Sequence, residues 1–244
     1  MIDLHTQLDL YPNALDILAR VNQVNRFTLA VTTSPRAWIA TSQVFKGHTN
    51  IKVALGLHPE IAIEKFNEFD LLLSSIQKSD FIGEVGIDGS ARYAKSLDKQ
   101  ELIFDRTIKE CERAGGRIIS IHSRGAASKI LSIIRKYPAC GTPILHWFSG
   151  SITELKKAVE MKCFFSVNPV MIKSKKGKDL VSRIPSGLVL PESDGPFVTQ
   201  NGKPIMPWEA IDIAPVLSKI WSLPLQQVEA TLFENLNMLL KGRY

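Results

Sequence analysis

Close pairs of cysteines are missing from this chain of 244 residues. Its three cysteines, Cys111, Cys140 and Cys163, lie far apart, which argues against a disulfide framework and against a thiolate zinc site. Long apolar runs are missing too, since no stretch approaches the roughly 20 apolar residues that span a bilayer. Asp3 and His5 interrupt the first apolar segment, so we expect no signal peptide. These features predict a reduced, cytoplasmic protein without a membrane partner.

Acidic residues are fewer than basic ones, and the formal net charge is +6. The charge permits an anionic partner but does not identify one. An apolar content of 45% and a charged content of 22% are ordinary for a globular protein. A chain of this length can form one large domain or two small ones, and α/β barrels of this length form a single domain.

Eight short apolar runs typical of buried strands recur along the chain. They are IDLHTQ, FTLAVTTS, IKVALGLHP, FIGEVGID, RIISIHSR, PILHWFSG, CFFSVNP and LVLPESDGP, beginning at residues 2, 27, 51, 81, 117, 143, 163 and 188. The segments between them carry helix signals. Ser151 and Glu154 form a possible capping box, and Pro207 suits a first helical position. Residues 97–114 have helical periodicity, whereas Pro215 should kink or split its helix.

Eight strand–helix units predict the fold class. We expect an α/β fold, a (β/α)8 TIM barrel, in a single domain that covers residues 1–244. A doubly wound open sheet is the alternative, but the glycine-rich nucleotide turn of that fold is missing from the sequence.

Histidines concentrate where the predicted strands end, and only His48 lies in a helix-to-strand connection. A lone strand histidine is more often a hydrogen-bonded core residue than a ligand. Glu84 differs, because a carboxylate inside a buried strand is costly unless it is paired or bound to metal. Reacting groups of barrels come from the C-terminal ends of strands. Six polar groups should therefore converge on one face, and they predict a metal site: His5, His58, Glu84, His122, His146 and Asp194.

Mixed imidazole and carboxylate ligands narrow the choice of metal. They suit zinc, manganese, iron or cobalt, and magnesium fits less well where nitrogen ligands dominate. Two carboxylates with several histidines are enough for two adjacent ions. A paired site of that kind is the usual design of phosphodiesterases, because it generates hydroxide and clamps the entering and leaving oxygens.

The motifs IDLHTQLD, GLHPE, GEVGID, HSR, HWFSG and ESDGPF occur in this order along the whole chain. They resemble the TatD family of metal-dependent deoxyribonucleases, within the amidohydrolase superfamily of barrels. The resemblance implies a hydrolase that cleaves DNA with one or two divalent ions (Zn, Mn, Mg or Co). It implies Glu84 as the bridging ligand and Asp194 as the acceptor of the attacking water's proton, which makes these two the catalytic residues. The implied metal ligands are His5, Gln7, Glu84, His122, His146 and Asp194.

The resemblance also implies substrate contacts. His58 matches a pocket histidine near phosphate, and Arg124 matches the arginine that follows a ligand histidine. Two further expectations come from the residues themselves, and the first is that Trp147 either stacks on a base or supports the pocket wall. The lysine-rich segment KSKKGKD after the seventh strand either contacts phosphates or is a solvated basic loop; its lysines are Lys173, Lys175, Lys176 and Lys178.

Several positions depart from the family pattern. Gln7 replaces the second of two histidines, Trp147 replaces a common cysteine, and Ile205 and Met206 replace polar residues. These features resemble the QatD branch found in Qat anti-phage defence cassettes. That branch implies partner subunits, an ATPase and an enzyme related to queuosine synthesis.

Gln7 leaves two other functions open. A metal-dependent amidase or lactonase acting on a small molecule would use the same activated water, and fold does not decide between these chemistries. A degenerate barrel that acts as a binding or scaffold subunit is the third possibility. Glutamine lacks the imidazole nitrogen that zinc favours, so we expect the first metal position to be weakened and the second to persist.

Overall fold

The chain is described over residues 1–241 by a computed structural model. All eight predicted strands are present, followed by a short hairpin late in the chain. The strands are β1 Ile2–Thr6, β2 Phe27–Val31, β3 Ile51–Ala54, β4 Phe81–Gly86, β5 Arg117–His122, β6 Gly141–His146, β7 Phe164–Val167, β8 Val189–Pro191, β9 Thr199–Gln200 and β10 Lys203–Pro204.

The predicted helix signals act as expected. Ser151 and Glu154 form a reciprocal capping box, in which each side chain accepts from the other residue's backbone N–H. Pro207 begins the 3₁₀ helix Pro207–Ile213, and Pro215 lies in the first turn of the helix that follows. The α-helices are α1 Ala14–Val24, α2 Pro35–Val44, α3 Phe69–Ser75, α4 Leu97–Arg113, α5 Ala127–Lys136, α6 Ile152–Glu160, α7 Lys175–Ser182, α8 Ala214–Trp221 and α9 Leu225–Leu240.

Contacts between Cα atoms group the chain into two compact units. The first unit comprises residues 1–30, 47–52 and 164 onward. In it, β1 pairs in parallel with β2, and β7 pairs in parallel with β8. Every residue of β1 is buried, as expected for strands of a parallel sheet that is covered on both faces.

The second unit comprises residues 31–46 and 53–163. Its strands β4, β5 and β6 are parallel neighbours in that order. The whole of β4 is buried, including the carboxylate of Glu84. In register, Gly86 pairs with His122 and Ile121 with Leu145, so the C-terminal ends of the three strands lie side by side.

Two expectations about local structure need correction. The lysine-rich segment after β7 is not a loop, because Lys175 and Lys176 lie in the first turn of α7, which begins after the N-cap Ser174. Asp194 does not end a strand, since β8 stops at Pro191 and Asp194 lies in the turn beyond it. Within residues 1–241, none of the helices is long and apolar enough to cross a bilayer.

Candidate metal centre

The carboxylate of Glu84 is the centre of a cluster in the second unit. Its Oε1 atom lies 3.1 Å from Nε2 of His58, 2.9 Å from Nδ1 of His122 and 3.2 Å from Nε2 of His146. The Glu84 side chain is only 2% exposed. His122 and His146 are the last residues of β5 and β6, so strand register brings them together.

Glycines let the backbone approach closely enough to form this cluster. A Cβ atom at Gly56 would lie 2.0 Å from the carbonyl oxygen of Thr32 and 2.5 Å from the backbone nitrogen of Glu84. A Cβ atom at Gly86 would lie 2.0 Å from the carbonyl oxygen of His122. Both distances are far inside van der Waals contact, which gives a packing reason for the glycines of GLHPE and GEVGID.

Asp88 is a functional residue that the sequence prediction missed. Nε2 of His122 lies 2.8 Å from its Oδ2, and the backbone N–H of Ser90 donates to its Oδ1 at 2.8 Å. Burial opposes ionisation of Asp88, but hydrogen bonds from His122 and Ser90 bring its pKa well below the usual range. The available signal was a second carboxylate in GEVGID, four residues after Glu84.

His122 lies between two carboxylates. Burial alone lowers the pKa of His122, but hydrogen bonds to Asp88 and Glu84 outweigh burial and raise it to about 8. With Asp88 accepting from Nε2–H, the Nδ1 lone pair of a singly protonated His122 faces Glu84. A carboxylate that fixes the ring in this way is the common outer partner of a metal-bound histidine.

His58 has the opposite tautomer. Its Nδ1 accepts a hydrogen bond from the backbone N–H of Glu60 at 3.2 Å, so the proton of the neutral ring is on Nε2. That Nε2–H points at Glu84 and has no lone pair to offer to a metal. Although His58, Glu84 and His122 are close enough to hold an ion together, we assign His58 as a hydrogen-bond donor.

Two donor separations at Glu84 match those expected around a divalent cation. Two ligands about 2.1 Å from one ion, at tetrahedral to octahedral angles, lie roughly 3.0–3.4 Å apart. Glu84 Oε1 is 2.9 Å from His122 Nδ1 and 3.2 Å from His146 Nε2, which is close to that separation. One carboxylate with two imidazoles suits zinc, manganese or cobalt.

The first unit holds the other predicted ligands. Nε2 of His5 lies 3.8 Å from Oδ1 of Asp194 and 3.3 Å from Nε2 of Gln7. The backbone joins the same two segments, because Asp194 donates to the carbonyl of His5 and Gln7 donates to that of Gly195, each at 2.9 Å. Asp194 has φ of 50°, a left-handed conformation that is uncommon outside glycine.

Asp3 supports this second cluster and was also missed. It is fully buried, and it accepts from the backbone N–H groups of His5 at 3.1 Å and Ser193 at 2.9 Å. The Ser193 hydroxyl donates to its other oxygen at 2.6 Å. Burial raises the pKa of Asp3 to about 8, although the hydrogen bonds from Ser193 and His5 oppose the rise. Asp3 therefore fixes β1 to the turn that carries Asp194.

The predicted substrate residues lie beyond the strand ends. Arg124 is exposed two residues after His122, and Trp147, 37% exposed, directly follows His146 with φ of 37°. In the first unit, the lysines of KSKKGKD are all exposed around the start of α7: Lys173, Lys175, Lys176 and Lys178. Phe197, three residues after Asp194 and 66% exposed, is a further exposed aromatic that the sequence prediction left out.

A buried carboxylate among imidazoles at the ends of parallel strands defines the class of protein, a metal-dependent hydrolase. The particular family follows from comparison with known proteins. The chain matches the TatD related DNase family over residues 2–241 and belongs to it.

Two relatives agree with this assignment. The uncharacterised metal-dependent hydrolase YabD of Bacillus subtilis (strain 168) is 30% identical over 202 residues, covering 78% of each chain. The uncharacterised metal-dependent hydrolase YjjV of Escherichia coli (strain K12) is 24% identical over 249 residues, covering 96% of this chain and 95% of that protein.

Solved structures establish the fold. The crystal structure of YjjV, a TatD homologue, aligns with a TM-score of 0.85 at 21% identity, covering 98% of this chain and 97% of that one. An uncharacterised amidohydrolase from Saccharomyces cerevisiae aligns with a TM-score of 0.82 at 14% identity, covering 98% and 99%. The predicted α/β fold, a (β/α)8 TIM barrel in a single domain, is confirmed.

Proposed function

We propose that this protein hydrolyses phosphodiester bonds of DNA with the help of a divalent cation. The observation that carries the proposal is the carboxylate oxygen of Glu84, with imidazole nitrogens of His122 and His146 within 3.2 Å. We further propose that residues 1–244 form one hydrolase domain and that the protein acts in the cytoplasm.

Glu84, His122 and His146 would hold the cation. When bound, a divalent ion supplies Lewis acidity to a phosphoryl oxygen and lowers the pKa of a water molecule. Without substrate, the Nε2–H of His58 faces Glu84. With substrate bound, His58 would turn this N–H to a phosphate oxygen, and Arg124 would offer a forked pair of donors to the same group. Asp194 accepts a proton from the attacking water at its carboxylate.

A second ion would use His5, Gln7 and Asp194. The amide oxygen of Gln7 suits hard cations such as magnesium or manganese better than zinc. The 3.3 Å separation of Gln7 Nε2 from His5 Nε2 places the amide nitrogen, which is no ligand, against the imidazole. We therefore propose one strong site at Glu84 and one weak site at His5.

DNA is favoured as substrate by the charges around α7. Lysines in the first turn of a helix run against the helix dipole, which prefers acidic residues there by about 0.3–1 kcal/mol each. Lys175 and Lys176 lie exposed at these unfavourable positions. Bound phosphates would neutralise their charge and offset the unfavourable interaction with the dipole. Trp147 and Phe197 offer exposed aromatic faces on which unpaired bases can stack.

A nuclease assay across zinc, manganese, magnesium and cobalt, with single- and double-stranded DNA, tests the proposal. We expect Asp194→Ala to abolish cleavage and Asp98→Ala, at an exposed position of α4, to retain it. Equal cleavage by wild type and Asp194→Ala would refute the catalytic role of Asp194. Hydrolysis of amide or lactone substrates without DNA cleavage would show the alternative chemistry, and no hydrolysis with any metal would indicate a scaffold subunit.

The narrower assignment to the Qat defence branch is also a proposal. It is supported by the sequence departures at Gln7, Trp147 and Ile205. It predicts a complex with an ATPase and an enzyme related to queuosine synthesis. Affinity purification of the tagged protein from its native host, followed by mass spectrometry, tests it, and recovery of neither partner would count against it.

A further inference from the structure

A cleft of about 410 Å³ lies in the first unit, where β2 and β3 begin and α9 ends. Ile2 pairs with Phe27, so this basal cleft lies at the opposite end of the β1–β2 pair from His5. Its volume is typical of small-molecule sites. Nine residues line the basal cleft: Arg26, Phe27, Thr49, Asn50, Lys52, Leu236, Asn237, Leu240 and Lys241.

The basal cleft carries positive charge. Arg26, Lys52 and Lys241 line it, and none of its lining residues within the described chain is acidic. The carboxyl end of α9 contributes roughly half a negative charge, which is too little to neutralise Arg26 and Lys241. An anion is therefore the complementary ligand.

Arg26 is held in place by an aromatic ring. Its guanidinium carbon lies 5.5 Å from the centroid of the Phe233 ring, within the range of a cation–π contact. Its backbone N–H donates to the carbonyl of Met1 at 2.7 Å. A guanidinium that is positioned in advance loses less freedom when it binds a phosphate in forked geometry.

The floor of the basal cleft is apolar and its walls offer amides. Phe27 and Leu236 are buried beneath it. The Asn50 side chain is anchored by donating to the carbonyls of Asn22 at 3.2 Å and Asn25 at 2.7 Å. A ligand that combines an anionic group with a flat, largely apolar ring matches these cations, amides and apolar floor.

We propose that the basal cleft binds a nucleoside monophosphate. Its phosphate lies against Arg26 and Lys241, and its base lies over Phe27 and Leu236. The proposal does not depend on the nuclease activity, because the basal cleft shares none of the residues of the metal centre.

Calorimetric titration of the metal-free protein with deoxyadenosine monophosphate tests the proposal. Adenosine, ribose 5-phosphate and inorganic phosphate are compared, because each lacks one part of the ligand. We expect deoxyadenosine monophosphate to bind about tenfold more tightly than each of them, since a charged hydrogen bond or a buried ring contributes at least that much. Added salt should weaken its binding.

Two variants and a control locate the site. Arg26→Gln should weaken nucleotide binding about tenfold or more, and Asn237→Glu, at an exposed position of α9, should weaken it further by placing a negative charge in the basal cleft. Lys219→Gln removes a cation from an exposed position of α8 and should bind like wild type. Thermal melting monitors folding of all three.

Some results would overturn the proposal. If Arg26→Gln and Asn237→Glu bind the nucleotide as tightly as wild type, the ligand occupies another site. If inorganic phosphate binds as tightly as the nucleotide, the cleft recognises only the anion. Absence of binding at millimolar nucleotide would also refute it, whatever the nuclease assay shows.

Discussion

The cluster around Glu84 in the second unit and the cluster around His5 in the first unit use the same kinds of residue in different ways. At Glu84, one carboxylate oxygen has three imidazole nitrogens within 3.2 Å. At His5, one imidazole nitrogen has an amide nitrogen at 3.3 Å and a carboxylate oxygen at 3.8 Å. The first arrangement gathers three imidazole nitrogens around one carboxylate oxygen, whereas the second joins an imidazole to an amide and a carboxylate.

Outer hydrogen bonds also separate the two clusters. Asp88 accepts from Nε2 of His122 and leaves its Nδ1 to face Glu84. At His5, Asp3 accepts from the backbone N–H of His5. A carboxylate on the ring increases the basicity of a ligand histidine, so we expect Asp88 to strengthen metal binding at the Glu84 cluster.

Removing the shared carboxylate should have the largest effect. Glu84→Gln keeps the side chain's shape but removes the charge that neutralises the cation. We expect metal affinity to fall by more than about 100-fold, because loss of an outer partner alone lowers it by 10–100-fold. The rate of DNA cleavage should fall with it. Mass spectrometry measures the bound metal, and a nuclease assay measures the rate. Glu64→Gln, at an exposed position of the same unit, serves as the control, and retained affinity in Glu84→Gln would contradict the ligand assignment.

Asp88→Asn tests the outer partner. The amide can still face His122, but it carries no charge and no longer fixes one tautomer, so we expect a 10–100-fold loss of metal affinity. Titration with zinc, monitored by calorimetry, measures the change. Asp98→Asn, at an exposed position on α4, should bind zinc like wild type. An unchanged affinity in Asp88→Asn would mean that Asp88 only supports the fold.

The elements that the sequence predicted are those set by local patterns. Continuous apolar runs predicted the eight strands. The histidines could be placed at the strand ends because that position depends on where each strand stops and not on its pairing with a neighbour. Asp88 and Asp3 could not be assigned, since their roles depend on which backbone and ring atoms of other segments they accept from. The tautomer of His58 likewise depends on the backbone N–H of Glu60.

Non-local packing explains the other misses. The apolar positions of KSKKGKDLVS bury Leu180 and Val181, which makes a helix of a segment whose lysines suggested a loop. The basal cleft arises where α9 meets the beginnings of β2 and β3. Arg26 and Lys241 are far apart in the sequence, so no motif joins them.

The pKa of His122 predicts a pH dependence of metal binding. The pKa of His122 is about 8 in the folded protein, above the value of about 6.5 for an unfolded histidine. Its extra proton therefore stabilises the metal-free folded protein fully below about pH 6.5, and this stabilisation is lost as the pH rises through 8. A cation must displace this proton from Nδ1. Between about pH 6.5 and 8, we expect affinity at the Glu84 cluster to rise about tenfold per pH unit, then to level off.

Calorimetry in buffers of different ionisation enthalpy counts the protons released. Release of about one proton per ion at pH 7, and of fewer at pH 9, is the expected result. In Asp88→Asn the curve should shift to lower pH, because the hydrogen bond that raises the pKa is lost. A flat affinity over this range would exclude His122 as a ligand.

Gln7→His would make the His5 cluster more like the Glu84 cluster, and it should have the smallest effect. Imidazole supplies the nitrogen that zinc and cobalt favour, so bound metal should rise from about one toward about two ions per chain, with faster cleavage. Gln43→His adds an exposed histidine on α2 and controls for nonspecific binding. If Gln7→His gains neither metal nor activity, then Gln7 is already an adapted ligand or the first metal position is not used.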